Sequence, residues 1–261
     1  SLSGTGKVTV AAYTFNDHVS LRSAGTSSSG IEFTGAVSVG TNNLTLNTTG
    51  NVTQASGASI TAAGLQLLGA AGNYTLTDTA NAITTLAGST GNVYFLEDSG
   101  FAIGTVGTVT SSVGMTTTGN LRLSSTGTVT QDNLISASGL ELLGAGGTYT
   151  LTNTGNTITT LAGSTGTVSF LENSGFAIGT VNTVGLTTST SLTLNSTGSV
   201  TQSQKIDTPS LELLGVGGNY TLTDTGNAIT TLAGSTGTVS FLENSGYAIG
   251  SVNSSTGLTT S

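Results

Sequence analysis

The sequence predicts an all-β fold, a parallel β-helix (β-solenoid) of about nine to eleven coils, three in each 71–77-residue repeat. Three observations carry this expectation. Long stretches of the chain recur almost unchanged, apolar and polar residues alternate between Gly-rich corners, and the composition buries a core without building an ordinary charged surface.

The repeat is the strongest of the three. LTLNTTGNVTQ begins at Leu44, LRLSSTGTVTQ at Leu121 and LTLNSTGSVTQ at Leu192, with offsets of 121 − 44 = 77 and 192 − 121 = 71. A second block opens at Leu65 and returns at Leu140 and Leu211. A third opens at Val93 and returns at Val168 and Val239. The organisation expected is one continuous solenoid domain. It has irregular N-terminal coils over 1–43, repeat 1 over 44–120, repeat 2 over 121–191 and repeat 3 over 192–261. Counted from one block to the next, the unit lengths lie between 19 and 28, which suits one coil with three short strands and three corners.

Alternation gives the inward face. Leu140, Leu142, Tyr149 and Leu151 are expected to point inward, with Glu141, Thr150 and Thr152 pointing out. Ile158 and Leu161 are assigned to a third apolar face of that same coil. Gly144, Gly146, Gly147, Gly163 and Gly166 fall between these stretches, where corners need backbone angles other residues avoid. Tyr94 is replaced by Ser169 and Ser240 in the other repeats, which marks an outward position. Asn81, Asn156 and Asn227 are expected to stack, as are Thr85, Thr160 and Thr231, about 14 Å apart if equivalents recur every third coil.

Composition explains why such a chain must stack. Each fully buried large apolar side chain contributes about 1.5–3 kcal/mol. One coil alone cannot bury its Leu, Ile, Val and Phe, whereas neighbouring coils cover them. Charged residues make up only 6% of the chain, against roughly 25% in an average domain. Hydroxyls and amides must therefore supply the polar surface. Four Lys/Arg in 261 residues form no basic patch, so no nucleic-acid partner is expected. With no Cys there are neither disulfides nor thiolate metal sites. No apolar run approaches the length a membrane-spanning helix needs, and Ser1 begins no signal-peptide pattern, so the chain reads as a mature fragment.

The search for chemistry yields no catalytic, cofactor-binding or metal-ligating set, and no enzyme activity is expected. Glu97, Glu172 and Glu243 occur once per repeat and read as repeat-surface carboxylates, since a catalytic constellation is needed once and not three times. Glu141 and Glu172 are placed about 10 Å apart on neighbouring coils, marginal for paired acid/base work. Asp78 and Asp224, with Asn153 between them in the series, read as corner hydrogen-bonding residues. His18, the single histidine, neighbours Asp17 in an irregular stretch, and no GxSxG supplies a nucleophile. Phe101, Phe176 and Tyr247 recur on an apolar strand and read as core. The triplets at Asn47, Asn73 and Asn219 fit glycosylation acceptors but are expected by chance in so Asn- and Thr-rich a chain.

The motifs LTLNxTGxVTQ, GLxLLG and NxITTL resemble the repeat regions of filamentous haemagglutinin-like large exoproteins, the two-partner-secretion and autotransporter adhesins of Gram-negative bacteria. The resemblance spans roughly Ile31 to Val252. It implies a right-handed parallel β-helix, an extracellular or cell-surface location, and work in adhesion, aggregation or biofilm. It also implies an outer-membrane secretion transporter for the parent chain and a receptor or glycan on a host or neighbouring cell. The lack of Cys suits export in an unfolded state. The family's NPNL signature is absent, so the segment reads as shaft. End-to-end self-association into a filament is the alternative, and ice binding or glycan processing ranks below both.

Overall fold

The computed structural model describes residues 2–4, 6–24, 30–107 and 110–261. Among them there is no helix. Parallel strands stack as a β-solenoid of about 12 turns. Two compact units, Ser1–Ser138 and Gly139–Ser261, are each built this way.

In the first unit, successive strands lie in register along fixed columns. Val19 pairs with Leu44, Leu44 with Leu65, Leu65 with Leu86, and Leu86 with Ile103, all parallel. A second column runs Val8, Ile31, Val52, Tyr74, Val93 and Leu121. The inward members from Ile31 to Leu121 are almost completely buried. Strands such as Ile60–Leu76 and Ala82–Leu96 turn a corner without losing their pairing, apart from a register shift between Thr90 and Asn92.

These columns correct the expected coil boundaries. Val93 is expected to open the coil above Leu65, but the residue above Leu65 is Leu86, and Val93 lies on Tyr74. Three turns from Leu44 end at Ile103, whereas the repeat closes at Leu121, a further 121 − 103 = 18 along the chain. The repeat therefore exceeds three coils by more than half a turn, and each new copy starts on another face. Leu44 stands on Val19, but its counterpart Leu121 stands on Val93.

The second unit follows the same rule. One column runs Val168, Leu192, Leu211, Leu232 and Ile249, and another Thr160, Ala177, Thr201, Thr221 and Ser240. Thr160 and Thr231 are repeat counterparts, yet Thr231 sits beside Ser210 and Ala248 in a different column. The expected stacking of repeat equivalents, the Asn81, Asn156 and Asn227 series included, rests on an integral number of coils per repeat, a condition neither unit meets. Leu232 likewise stacks on Leu211 and is not a further face of Leu211's own turn, which corrects the placement given to its counterpart Leu161.

The in/out alternation is as expected at most positions. Leu140, Leu142, Tyr149 and Leu151 are fully buried, and Thr150 and Thr152 are exposed. Tyr74 and Tyr220 carry their hydroxyls into the core, where each donates to carbonyls: Leu68 and Leu46 for Tyr74, Leu214 and Leu194 for Tyr220. Burial pushes both phenols well above their ordinary pKa, with the hydrogen bonds opposing. They serve as neutral anchors between turns.

Candidate functional site

The repeated carboxylates are the first candidates. Glu97 and Glu172 are completely buried, which corrects their reading as surface groups; Glu243 is half-buried. Each closes its own corner. Glu97 accepts from the Ser99 amide (3.1 Å), the Gly100 amide (2.8 Å) and the Ser99 hydroxyl. Glu172 repeats this with Ser174 and Gly175, and Glu243 with Ser245 and Gly246. Gly100 and Gly175 hold φ values of 100° and 102°, so the Glu-x-Ser-Gly order is a requirement of the turn. The Ser245 hydroxyl holds the Glu243 carboxyl below the usual carboxylate range, slight desolvation opposes it, and the Gly246 and Ser245 amides reinforce it. With their oxygens committed to the chain's own donors, these groups are built as structural acceptors.

The buried Asn residues clamp adjoining turns. Asn81 Oδ1 accepts from Ile60 N (2.9 Å) and Gln54 Nε2 (2.7 Å), while its Nδ2 donates to Leu96 O (3.0 Å). Asn227 does the same with Ile206 N, Gln202 and Leu242 O. Asn156 donates to Leu151 O and Leu171 O. Asp78, Asn153 and Asp224 fill the corner role expected of them. Their side chains accept from the amide two residues on, at Ala80, Gly155 and Gly226.

A third feature has no counterpart among the sequence expectations. In each repeat the chain leaves the solenoid at one Gly and returns at another: Gly104 to Gly114, Gly179 to Gly185, and Gly250 to Gly257. The second Gly donates its amide to the first in all three cases, at 2.8, 2.9 and 2.7 Å. The excursions are short antiparallel flaps, with Thr105–Val106 against Ser112–Val113 and Ser251–Val252 against Ser255–Thr256. The first two differ in length by (114 − 104) − (185 − 179) = 4, which accounts for the different lengths of the units that contain them.

Each flap folds back over the residue between the two inward leucines of the L-x-L-L strand. Gln66 Nε2 donates to Thr110 O (2.9 Å) and Ser112 Oγ (3.0 Å). Glu141 accepts from the Thr183 amide. Glu212 Oε2 accepts from Asn253 Nδ2 (3.0 Å) and Thr193 Oγ1 (2.9 Å). Glu141, expected to face solvent, points away from the core as alternation requires, but the flap buries it completely. It and Glu172 are engaged by different segments, Thr183 and Ser174–Gly175.

Among the described residues, Glu212 Oε1 is a buried oxygen with no hydrogen-bond partner. Leaving such an acceptor unmet costs about 1–3 kcal/mol. Gln66, at the same place in the first repeat, uses an amide to reach the flap. Glu212→Gln removes a buried charge and keeps an oxygen that accepts from Asn253 and Thr193, so it is expected to raise the unfolding free energy by about 1 kcal/mol, read as a higher urea midpoint at constant slope. A lower midpoint would show that the carboxylate is held by more than Asn253 and Thr193.

Outside these clusters the surface is built from ladders. Asn73 Nδ2 donates to Asn51 Oδ1 (3.3 Å), Asn92 Nδ2 to Asn73 Oδ1 (2.8 Å), and Asn120 N to Asn92 Oδ1 (2.8 Å). This exposed amide ladder joins neighbouring turns, and Asn73 belongs to it. Tyr94 faces outward beneath the Arg122 guanidinium, 4.1 Å from its ring centre. Phe101 and Phe176 are core residues, each edge-on to a partner, Phe95 and Phe170, at 5.1 and 5.2 Å. His18 accepts the Asn43 amide on Nδ1 (2.9 Å) and its own amide is held by Asp17.

The surface depressions are open, with walls that mix polar and apolar groups. One, of about 310 Å³, is bounded by Gln54, Ala55, Ser56, Thr77, Asp78 and Thr79. Its one carboxylate, Asp78, accepts from Gly57 N and Ala80 N. Among the described residues no three His, Asp or Glu side chains gather as a metal site would need. Among the same residues no helix is long and apolar enough to cross a membrane.

Fold and corner chemistry together define a parallel β-solenoid repeat protein decorated with short flaps. No family model, curated protein or solved structure matches the chain.

Proposed function

We propose that this chain is a structural shaft segment of a bacterial cell-surface or secreted adhesin, exported through an outer-membrane transporter, and that it works without catalysing a reaction. The observation that carries the reading is the use made of the polar residues that recur in the three repeats. The buried Glu, Asn and Gln hold corners, clamp turns or fasten flaps. A chain that commits its polar groups to its own backbone is suited to holding other parts at a distance. The lack of Cys and the scarcity of charge fit passage through the outer membrane and exposure outside it.

Antibodies raised against the chain, applied to intact cells of a Gram-negative strain that carries it, test this reading. Labelling of unpermeabilised cells, or recovery of the chain from the medium, is the expected result. Label that appears only after permeabilisation overturns the location and with it the adhesin role. A panel of polysaccharides incubated with the purified chain is expected to release no reducing ends; release would favour a glycan-processing enzyme.

A further inference from the structure

One buried oxygen is left over from the corner and flap chemistry. Glu212 is 2% exposed, and its Oε1 has no hydrogen-bond partner among the described residues, whereas its Oε2 has two. The place lies within the stack and not at an end of it. Glu212 pairs with Thr193 on one side and with Ala233 on the other, and the Gly250–Gly257 flap reaches it from outside through Asn253.

The first repeat shows what belongs at this oxygen. Thr45 Oγ1 donates to Gln66 Oε1 (2.8 Å), as Thr193 Oγ1 does to Glu212 Oε2 (2.9 Å). Glu212 Oε1 therefore corresponds to Gln66 Nε2, which presents its hydrogens to two flap oxygens, Thr110 O and Ser112 Oγ. The first repeat puts partial positive charge where the third puts a carboxylate oxygen. No basic side chain makes up the difference. The second unit has a single one, Lys205, which is exposed and paired with Asp207. A carboxylate buried without an opposite charge is costly.

We propose that Glu212, Thr193 and Asn253 bind a calcium ion that fastens the flap to the solenoid. Glu212 Oε2, Thr193 Oγ1 and Asn253 Nδ2 form a triangle with sides of 2.9, 2.9 and 3.0 Å. A half-turn of the Asn253 amide puts Oδ1 in place of Nδ2. The triangle then consists of three oxygens, and Glu212 Oε1 adds a fourth. Atoms so spaced can all lie at the calcium–oxygen distance of about 2.3–2.6 Å from one ion. A water bonded to Oε1 would stand farther off, at about 2.7–2.8 Å, so the ion needs less room beside this buried oxygen. Oxygen ligands suit a hard cation. Calcium tolerates irregular shells, whereas magnesium keeps its waters in a strict octahedron. With one carboxylate and no second acid, the dissociation constant falls at the weak end, on the order of 10⁻³ M. The inference is independent of the adhesin reading.

Urea unfolding of the whole chain, with and without calcium, is the test. At about 10 mM calcium the folding constant should rise about tenfold over its value in chelator, seen as a higher midpoint at constant slope. Magnesium at the same concentration should move the midpoint far less. Glu212→Gln should show no calcium response. Asn253→Gly accepts the φ of 48° at this position while removing the amide, so it keeps the backbone and should bind calcium at least tenfold more weakly. Carboxyl NMR signals followed through a calcium titration should move at Glu212 before they move at Asp78 or Asp224. Equal responses to calcium and magnesium, a full calcium response in either variant, or a midpoint and a Glu212 signal that calcium leaves unmoved overturns the proposal. None of these results bears on whether the chain reaches the cell surface.

Discussion

Asn81→Ala is expected to lower the unfolding free energy by about 3–5 kcal/mol, a large fraction of what a domain of ordinary stability possesses. The side chain is almost fully buried and joins turns through both ends of its amide. Its oxygen takes the Ile60 amide and Gln54, and its nitrogen reaches Leu96 and Leu76 carbonyls and Gln54 Oε1. Truncation leaves these partners facing a cavity, and each buried group left unmet costs about 1–3 kcal/mol. Asn81→Asp is a useful companion, since it keeps the oxygen that accepts from Ile60 and Gln54 but turns an anionic oxygen toward two carbonyls; it should also destabilise strongly. Asn73→Ala supplies the contrast. Asn73 stands in an exposed ladder with water available to replace its bonds, so its loss should stay within about 0.5 kcal/mol. Urea unfolding of the three variants decides the matter. Equal effects at Asn81 and Asn73 would mean the buried clamp does not hold the turns together.

Gly215→Ala is the second large effect, expected at about 3 kcal/mol or more. Gly215 has φ = 116°, a conformation L side chains rarely adopt, and a Cβ there would lie 2.0 Å from Ser196 O in the adjoining strand. Backbone, not a flexible side-chain tip, occupies the space. The strand cannot yield without breaking pairings such as Leu194 with Leu213. Gly217→Ala separates the two components of the cost. Its φ is 77° and nothing lies within 4 Å of the added carbon, so only conformational strain of about 1–2 kcal/mol should register. If the two alanines cost the same, close approach of successive turns is not what selects Gly215. Gly69 and Gly144 hold the equivalent position with φ of 119° and 112°, so the requirement recurs in every repeat.

Much of this architecture is legible in the sequence because period-two alternation and Gly spacing act locally. Leu140, Leu142, Tyr149 and Leu151 could be turned inward, Tyr94 outward and Asp78 into a corner without knowing which turn lies above which. Stacking is different, because it depends on how much chain completes a circuit. The conspicuous blocks begin at Leu44, Leu65 and Val93, and counting coils from them skips the weaker Ile83–Leu86 strand. The equal offsets from Leu44 to Leu65 and from Leu65 to Leu86, 65 − 44 = 21 and 86 − 65 = 21, are the signal that could have found it. The repeat of the sequence and the turn of the solenoid are separate periods, and only the first is visible as similarity.

The flaps escape notice for a related reason. Their residues are ordinary Thr, Val, Ser and Asn, and only the pinching pairs Gly104–Gly114, Gly179–Gly185 and Gly250–Gly257 distinguish them from a corner. Burial of Glu141 and Glu212 follows from contacts with Thr183 and Asn253, far along the chain, which no local pattern encodes. Glu97 and Glu172 are misplaced by sequence reasoning because a carboxylate in a charge-poor chain reads as surface. The cue to the contrary is the recurring Ser and Gly two and three residues on, which supply three donors to one side chain.

Interstrand NMR contacts on isotope-labelled protein are the most direct check. Amide and Hα signals of Leu65 should show contacts across a parallel pair to Leu44 on one side and to Leu86 on the other. Val93 should show the same to Tyr74 and Leu121. Contacts joining Leu65 to Val93, or an antiparallel pattern between any of these strands, would dissolve the columns on which the clamps between turns depend.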